Sequence, residues 1–124
     1  SSFLLANARI VDYPIVYCNE GFSKLTGFTR AEVMQKSCTC NFMYGEQTDA
    51  EAIQRIERCM EVCESEQQEI LLYKKNKTPL WLLMYLAPIK NEKDVVILYL
   101  LTFRDITALR QPLEEDEPGR GTQA

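Results

Sequence analysis

Apolar and polar positions along the chain change period twice. Residues 3–7 and 15–18 are short apolar runs with β-branched and aromatic members, separated by Asp12, Tyr13 and Pro14. They predict two strands of a hairpin around a turn. Asn19 then suits the N-cap of a short helix with Phe22 and Leu25 one turn apart, and Gly27 can supply the left-handed residue that ends it. Thr29 with Glu32 is a capping-box pattern ahead of Val33 and Met34, predicting a second short helix. Thr48 with Glu51 repeats the pattern and opens the longest helix, whose apolar positions Ile53, Ile56, Met60 and Cys63 recur every three or four residues, flanked by Ala52 and Cys59.

The helical period then gives way to strands. Residues 69–73, 80–87 and 95–103 are apolar and aromatic, joined by Lys75-Asn76-Lys77 and Asn91-Glu92-Lys93-Asp94, both of hairpin-loop composition. Two strands, short helices, a long helix and three strands make an α+β fold, a five-stranded antiparallel sheet with helices packed on one face. Pro112, Pro118, two glycines and an acidic run predict a domain over residues 1–111 and an acidic flexible linker over residues 112–124.

At 124 residues the chain suits one compact domain. The formal charge is −4, but Glu114, Glu115, Asp116 and Glu117 lie together, so the part before them is close to balanced and carries no basic footprint for nucleic acid. The longest apolar stretches fall short of the roughly 20 residues a bilayer-spanning helix needs, and no signal peptide is visible. Five cysteines, an odd number in a chain with enough apolar residues for a core, predict reduced thiols in the cytosol and no disulfides.

Ile15-Val16-Tyr17-Cys18-Asn19-Glu20-Gly21-Phe22, Gly27-Phe28-Thr29-Arg30-Ala31-Glu32-Val33-Met34 and the closing Asp105-Ile106-Thr107 resemble a PAS domain. Ala31-Glu32-Val33-Met34-Gln35-Lys36, Cys38-Thr39-Cys40, Phe42-Met43-Tyr44-Gly45 and Ala87-Pro88-Ile89-Lys90-Asn91-Glu92 are similar to the N-terminal domain of ether-à-go-go voltage-gated potassium channels. Within that family, residues 73–81 and Asp105-Ile106-Thr107-Ala108 with Gln111-Pro112 resemble the ether-à-go-go branch. The resemblance implies a non-enzymatic cytoplasmic module of a tetrameric plasma-membrane channel. It implies docking on the channel's C-terminal cyclic-nucleotide-binding homology domain and gating linkers, adjustment of opening and closing, and a flexible cap upstream of Ser1. A ligand- or light-sensing PAS domain is the alternative, and a dimerising PAS domain of a kinase or transcription factor a third reading.

The candidate chemistry is thin. Thr39-Cys40-Asn41-Phe42-Met43-Tyr44-Gly45 lies in register with the segment that light-sensing PAS relatives use to attack a flavin, placing Cys40 at the photoactive position. Asn41 stands where a cation for the flavin phosphate is expected, Tyr44 where a glutamine is, and Leu72, Leu82 and Thr102 where amide side chains would hold the ring. Each polar group of a flavin left unpartnered would cost on the order of 1–3 kcal/mol, so no cofactor is expected and Cys40 reads as a small buried hydrophobe. Cys38, Cys40, Cys59 and Cys63 lack the paired Cys-x2-Cys spacing of a zinc site, and helix-face packing explains Cys59 and Cys63 better. With no histidine, no nucleophile elbow and no Gly-rich phosphate loop, nothing predicts catalysis.

Strand alternation points to a surface instead. If Leu72, Leu82 and Thr102 face the helices, then Tyr73, Trp81, Leu83, Tyr85, Ile97, Tyr99 and Leu101 face away, making an outer sheet face apolar where a solvated one would be polar. The family resemblance adds Phe3, Leu5, Val16 and Tyr17 to this face, and Leu98, which the alternation places inward. The predicted partner-binding residues are therefore Phe3, Leu5, Val16, Tyr17, Trp81, Tyr85, Leu98 and Tyr99.

Overall fold

The computed structural model describes residues 1–110. The chain runs β1 (Ser2–Asn7), β2 (Ile15–Cys18), α1 (Glu20–Thr26), α2 (Arg30–Val33), a 3-10 turn (Asn41–Met43), α3 (Ala50–Val62), β3 (Glu66–Tyr73), β4 (Pro79–Lys90) and β5 (Val96–Asp105). All the strands join one antiparallel sheet in the order β2-β1-β5-β4-β3, with the helices against one face. The predicted linker over residues 112–124 lies outside the described residues.

Local chemistry explains why the chain breaks where it does. The Asn19 side chain accepts from the Phe22 N–H at 3.0 Å as the N-cap of α1, and Gly27 closes the helix at φ 84°, a left-handed angle that costs glycine no Cβ clash. Asn19 does more than cap. Its Oδ1 also accepts from the Phe3 N–H at 2.9 Å and its Nδ2 donates to the Ser1 carbonyl at 2.9 Å, tying the start of β1 to the start of α1. Thr29 and Glu32 form the predicted reciprocal capping box on α2. The third capping box does not form. Asp49 caps α3 by accepting from the Glu51 N–H, while Thr48 faces the edge of β3 and donates to the Leu71 carbonyl at 2.9 Å. Both residues are good N-caps, and β3's unpaired edge carbonyl claims the threonine.

The core lies between the inner sheet face and the helices. Phe22, Val33, Met43, Ile56 and Met60 meet Leu4, Ile15, Leu72, Leu82, Met84, Leu86 and Leu101, all nearly or fully excluded from solvent. Phe22 of α1 and Phe103 of β5 bring their ring centroids within 5.2 Å. Cys63 departs from the expected stripe on α3: it is the left-handed residue that ends the helix, φ 59°, and it is exposed.

The alternation on β5 is displaced by one residue from the expected parity. Tyr99 and Leu101 point inward and are buried, whereas Thr102 and Leu98 lie on the outer side. The physical cause is the pairing. Leu101 is opposite Leu4 and Leu86 and Tyr99 is opposite Ala6, all core residues, and opposed residues of antiparallel strands share a face. A bulge between Ile89 and Lys90 absorbs Ile97. Tyr73 is also not on the outer face in the expected way, since its hydroxyl accepts from the Gln47 N–H at 3.1 Å and its ring covers Gly45 beside the β3 edge.

Candidate docking surface

Strand register assembles the outer face row by row. Tyr17, Leu5, Leu100 and Ala87 follow one another across β2, β1, β5 and β4, and the next row holds Phe3, Thr102, Tyr85 and Gln67. Leu98 and Ile89 continue the apolar area on one side; on the other, Arg104, Leu83 and Glu69 make a mixed border. The centre is apolar and the rim polar, the anatomy of a protein interface. Tyr17, Val16 and Tyr85 are respectively 39%, 41% and 41% exposed, well above what core aromatic and β-branched residues show.

Local contacts hold the aromatic members in place. The Phe3 and Tyr17 ring centroids lie 5.9 Å apart, and the Arg30 guanidinium sits 5.2 Å from the Tyr17 centroid while its Nε donates to the Cys18 carbonyl at 2.9 Å. A cation over an aromatic face is favourable, so Arg30 fixes the ring from the helical layer. A cleft of about 570 Å³ opens on the same side, lined by Ser1, Ser2, Gln67, Leu83, Tyr85, Thr102, Phe103 and Arg104.

Seven of the eight predicted residues fall on this side of the sheet: Phe3, Leu5, Val16, Tyr17, Trp81, Tyr85 and Leu98. Tyr99 does not. It is 1% exposed, its hydroxyl donates to the Met60 carbonyl, and its ring meets Tyr13 edge-on with centroids 5.4 Å apart. Trp81 shares the side but lies beneath Arg110. Alternation on β5 carried no polar mark that would have singled out Leu100, which stands beside Leu5 in the middle row.

The interior offers little chemistry around Cys40. Its thiol is fully buried and burial pushes its pKa up; burial likewise raises the pKa of Cys38, there to about 12, so both stay protonated. Tyr44 donates to the Thr39 carbonyl at 3.1 Å, and burial pushes its pKa to about 12. A flavin does not fit these residues. Leu72 and Leu82 turn inward with no polar atom to offer, and Thr102 faces the opposite side of the sheet. Among the described residues, no group of three or more His, Cys, Asp or Glu side chains is placed to hold a metal, and no helix is long and apolar enough to cross a membrane.

A PAS domain family model matches residues 2–108, nearly all of the described chain. The chain belongs to the PAS domain family. It is 57% identical over an alignment of 136 positions to the potassium voltage-gated channel protein eag of Drosophila melanogaster, covering 94% of this chain and 12% of the channel. It is also 57% identical over 116 residues to the voltage-gated delayed rectifier potassium channel KCNH5 of Homo sapiens, with the same coverage. The chain therefore spans about an eighth of the length of the curated relatives it matches, in each case a match to the channel's N-terminal region. Among solved structures, the PAS domain of the fruit-fly ELK potassium channel superposes with a TM-score of 0.84 at 46% identity, covering 86% of this chain and 87% of that one. A LOV domain from a blue-light activated histidine kinase of Erythrobacter litoralis superposes with a TM-score of 0.79 at 25% identity, covering 85% of this chain and 94% of that one. This PAS domain is thus homologous to those of eag and KCNH channels, whose PAS domains are regulatory rather than enzymatic.

Proposed function

We propose that this PAS domain is the cytoplasmic gating module of a tetrameric voltage-gated potassium channel in the plasma membrane. It acts by docking its outer sheet face on other cytoplasmic parts of the channel, foremost the C-terminal cyclic-nucleotide-binding homology domain and the gating linkers. The observation that supports this is the apolar row Tyr17, Leu5, Leu100 and Ala87, flanked by Phe3, Tyr85 and Leu98, on the sheet face opposite the one that packs against α1, α2 and α3. Apolar area exposed in this way gains free energy when a partner removes it from water. Homology to eag channels supports the choice of partner.

The test is a calorimetric titration with the C-terminal homology domain of an eag channel at physiological salt. Binding by the wild-type chain is expected to weaken at least about 30-fold in Tyr17→Asp and in Leu98→Asp, the loss a hot-spot residue of about 2 kcal/mol or more gives. Their circular dichroism should match the wild type, because neither side chain belongs to the core. Unaltered affinity in both variants would move the interface elsewhere.

A further inference from the structure

Trp81 is held differently from the other residues of the face. On the outer side of β4 it stands opposite Leu71, and the chain after β5 turns back over this pair. The Ile106 N–H donates to the Trp81 carbonyl at 2.9 Å, and the Trp81 N–H donates to the Thr107 hydroxyl at 3.0 Å. One helical turn, residues 107–110, then sets the Arg110 guanidinium 3.7 Å from the indole centroid, where it also donates to the Glu69 carboxylate at 2.7 Å. Leu71, on the same side, is left only 4% exposed.

These contacts are of two kinds. The two hydrogen bonds at the Trp81 main chain, one with the Ile106 backbone and one with the Thr107 side chain, prolong the β4–β5 ladder. The Arg110 contacts lie at the surface, with the Arg110 and Glu69 side chains 41% and 52% exposed, so water competes with the ion pair. Arg110 can therefore swing away and uncover the indole without undoing the ladder. An uncovered indole would extend the apolar area beyond Leu83, and tryptophan is among the residues that contribute most at interfaces.

We propose that Arg110 is a displaceable clasp over the Trp81 end of the docking face, so that clasp and partner compete for the indole. The inference rests on the docking function proposed above and adds its regulation. Coupling of this kind is reciprocal: whatever loosens Arg110 tightens partner binding, and a docked partner releases Arg110 from Glu69.

Trp81 is the only tryptophan in the chain, so its emission reports the clasp directly. Acrylamide quenching is compared in the 124-residue wild type, Arg110→Ala and Glu69→Gln, and each is titrated with the eag C-terminal homology domain. Quenching should rise in Arg110→Ala and less in Glu69→Gln, which keeps the stacked cation. Affinity should tighten in the same order, by about three- to tenfold for Arg110→Ala, the range a displaced cation–π contact spans. Unchanged quenching in Arg110→Ala would overturn the clasp. Raised quenching with unchanged or weaker affinity would overturn the competition. Should none of the three proteins bind, the docking function fails and the competition with it, while the quenching comparison alone decides whether Arg110 covers the indole.

Discussion

Replacing Tyr99 separates a core role from a docking role most sharply, because strand alternation and the structure put this side chain on opposite faces. Its ring is 1% exposed and stacked edge-on against Tyr13, and its hydroxyl, whose pKa burial pushes up, is a neutral donor to the Met60 carbonyl. That carbonyl also accepts from the Cys63 N–H, so losing the hydroxyl does not orphan it. Tyr99→Phe should therefore cost only a neutral hydrogen bond, about 1 kcal/mol. Tyr99→Ala removes the ring as well, and aromatic truncation in a core costs about 3–5 kcal/mol, a large share of the roughly 5–15 kcal/mol available to a domain. Urea unfolding followed by circular dichroism and Trp81 emission measures both. With a slope of about 1.5 kcal/mol per molar, Tyr99→Phe lowers the midpoint by about 0.7 M. A Tyr99→Ala chain that loses less than about 1 kcal/mol, well below the cost of truncating a core aromatic, yet fails to bind the homology domain would refute the inward placement.

Three further outcomes follow from the described side chains. The exposed Cys63 should react first with an aromatic disulfide reagent at neutral pH and the half-buried Cys59 more slowly, while Cys18, Cys38 and Cys40 react only on unfolding, as peptide mass mapping over time would show; early labelling of Cys40 would contradict its burial. The same burial fixes a sign. Because the folded Cys38 pKa lies above that of an unfolded thiol, its contribution is complete below about pH 8.5 and is lost as pH rises towards about 12, so the urea midpoint should fall in alkali less steeply in Cys38→Ala. Asn19→Ala removes the acceptor for both Phe22 and Phe3 and the donor to Ser1, and should cost more than the ~1 kcal/mol of an ordinary N-cap. A loss in urea stability of no more than that would mean the link to β1 contributes nothing.

The strands and the first two helix starts were legible because each carried a local signal. The Asn19 and Thr29 caps and the Gly27 stop are made by neighbours in sequence, and β2 matches its expected span, Ile15–Cys18. The face of β5 was not legible, because Val96 to Leu101 is apolar or aromatic at every position and period two leaves no mark there. Pairing with Leu4 and Leu86 decides the parity, and the one polar residue, Thr102, turned out to face away from the core. Thr48 likewise lost the α3 cap to Asp49 through a contact with a strand distant in sequence, and Arg110 reaches Trp81 the same way. Phe3, Leu5, Trp81 and Tyr85 stand on the expected face because β1 and β4 do alternate, whereas in β2 an irregularity of register leaves both Val16 and Tyr17 exposed.

The strand order has a mechanical consequence. β1 and β5 are neighbours, and Ser2 stands opposite Phe103, so the first strand begins where the last one ends. Tension drawn between Ser2 and Asp105 would load that ladder at one end and open its hydrogen bonds in sequence, like a zip, rather than stretching them all together. Such a domain is suited to sit beside a path of force as a bound regulator and poorly suited to carry that force itself.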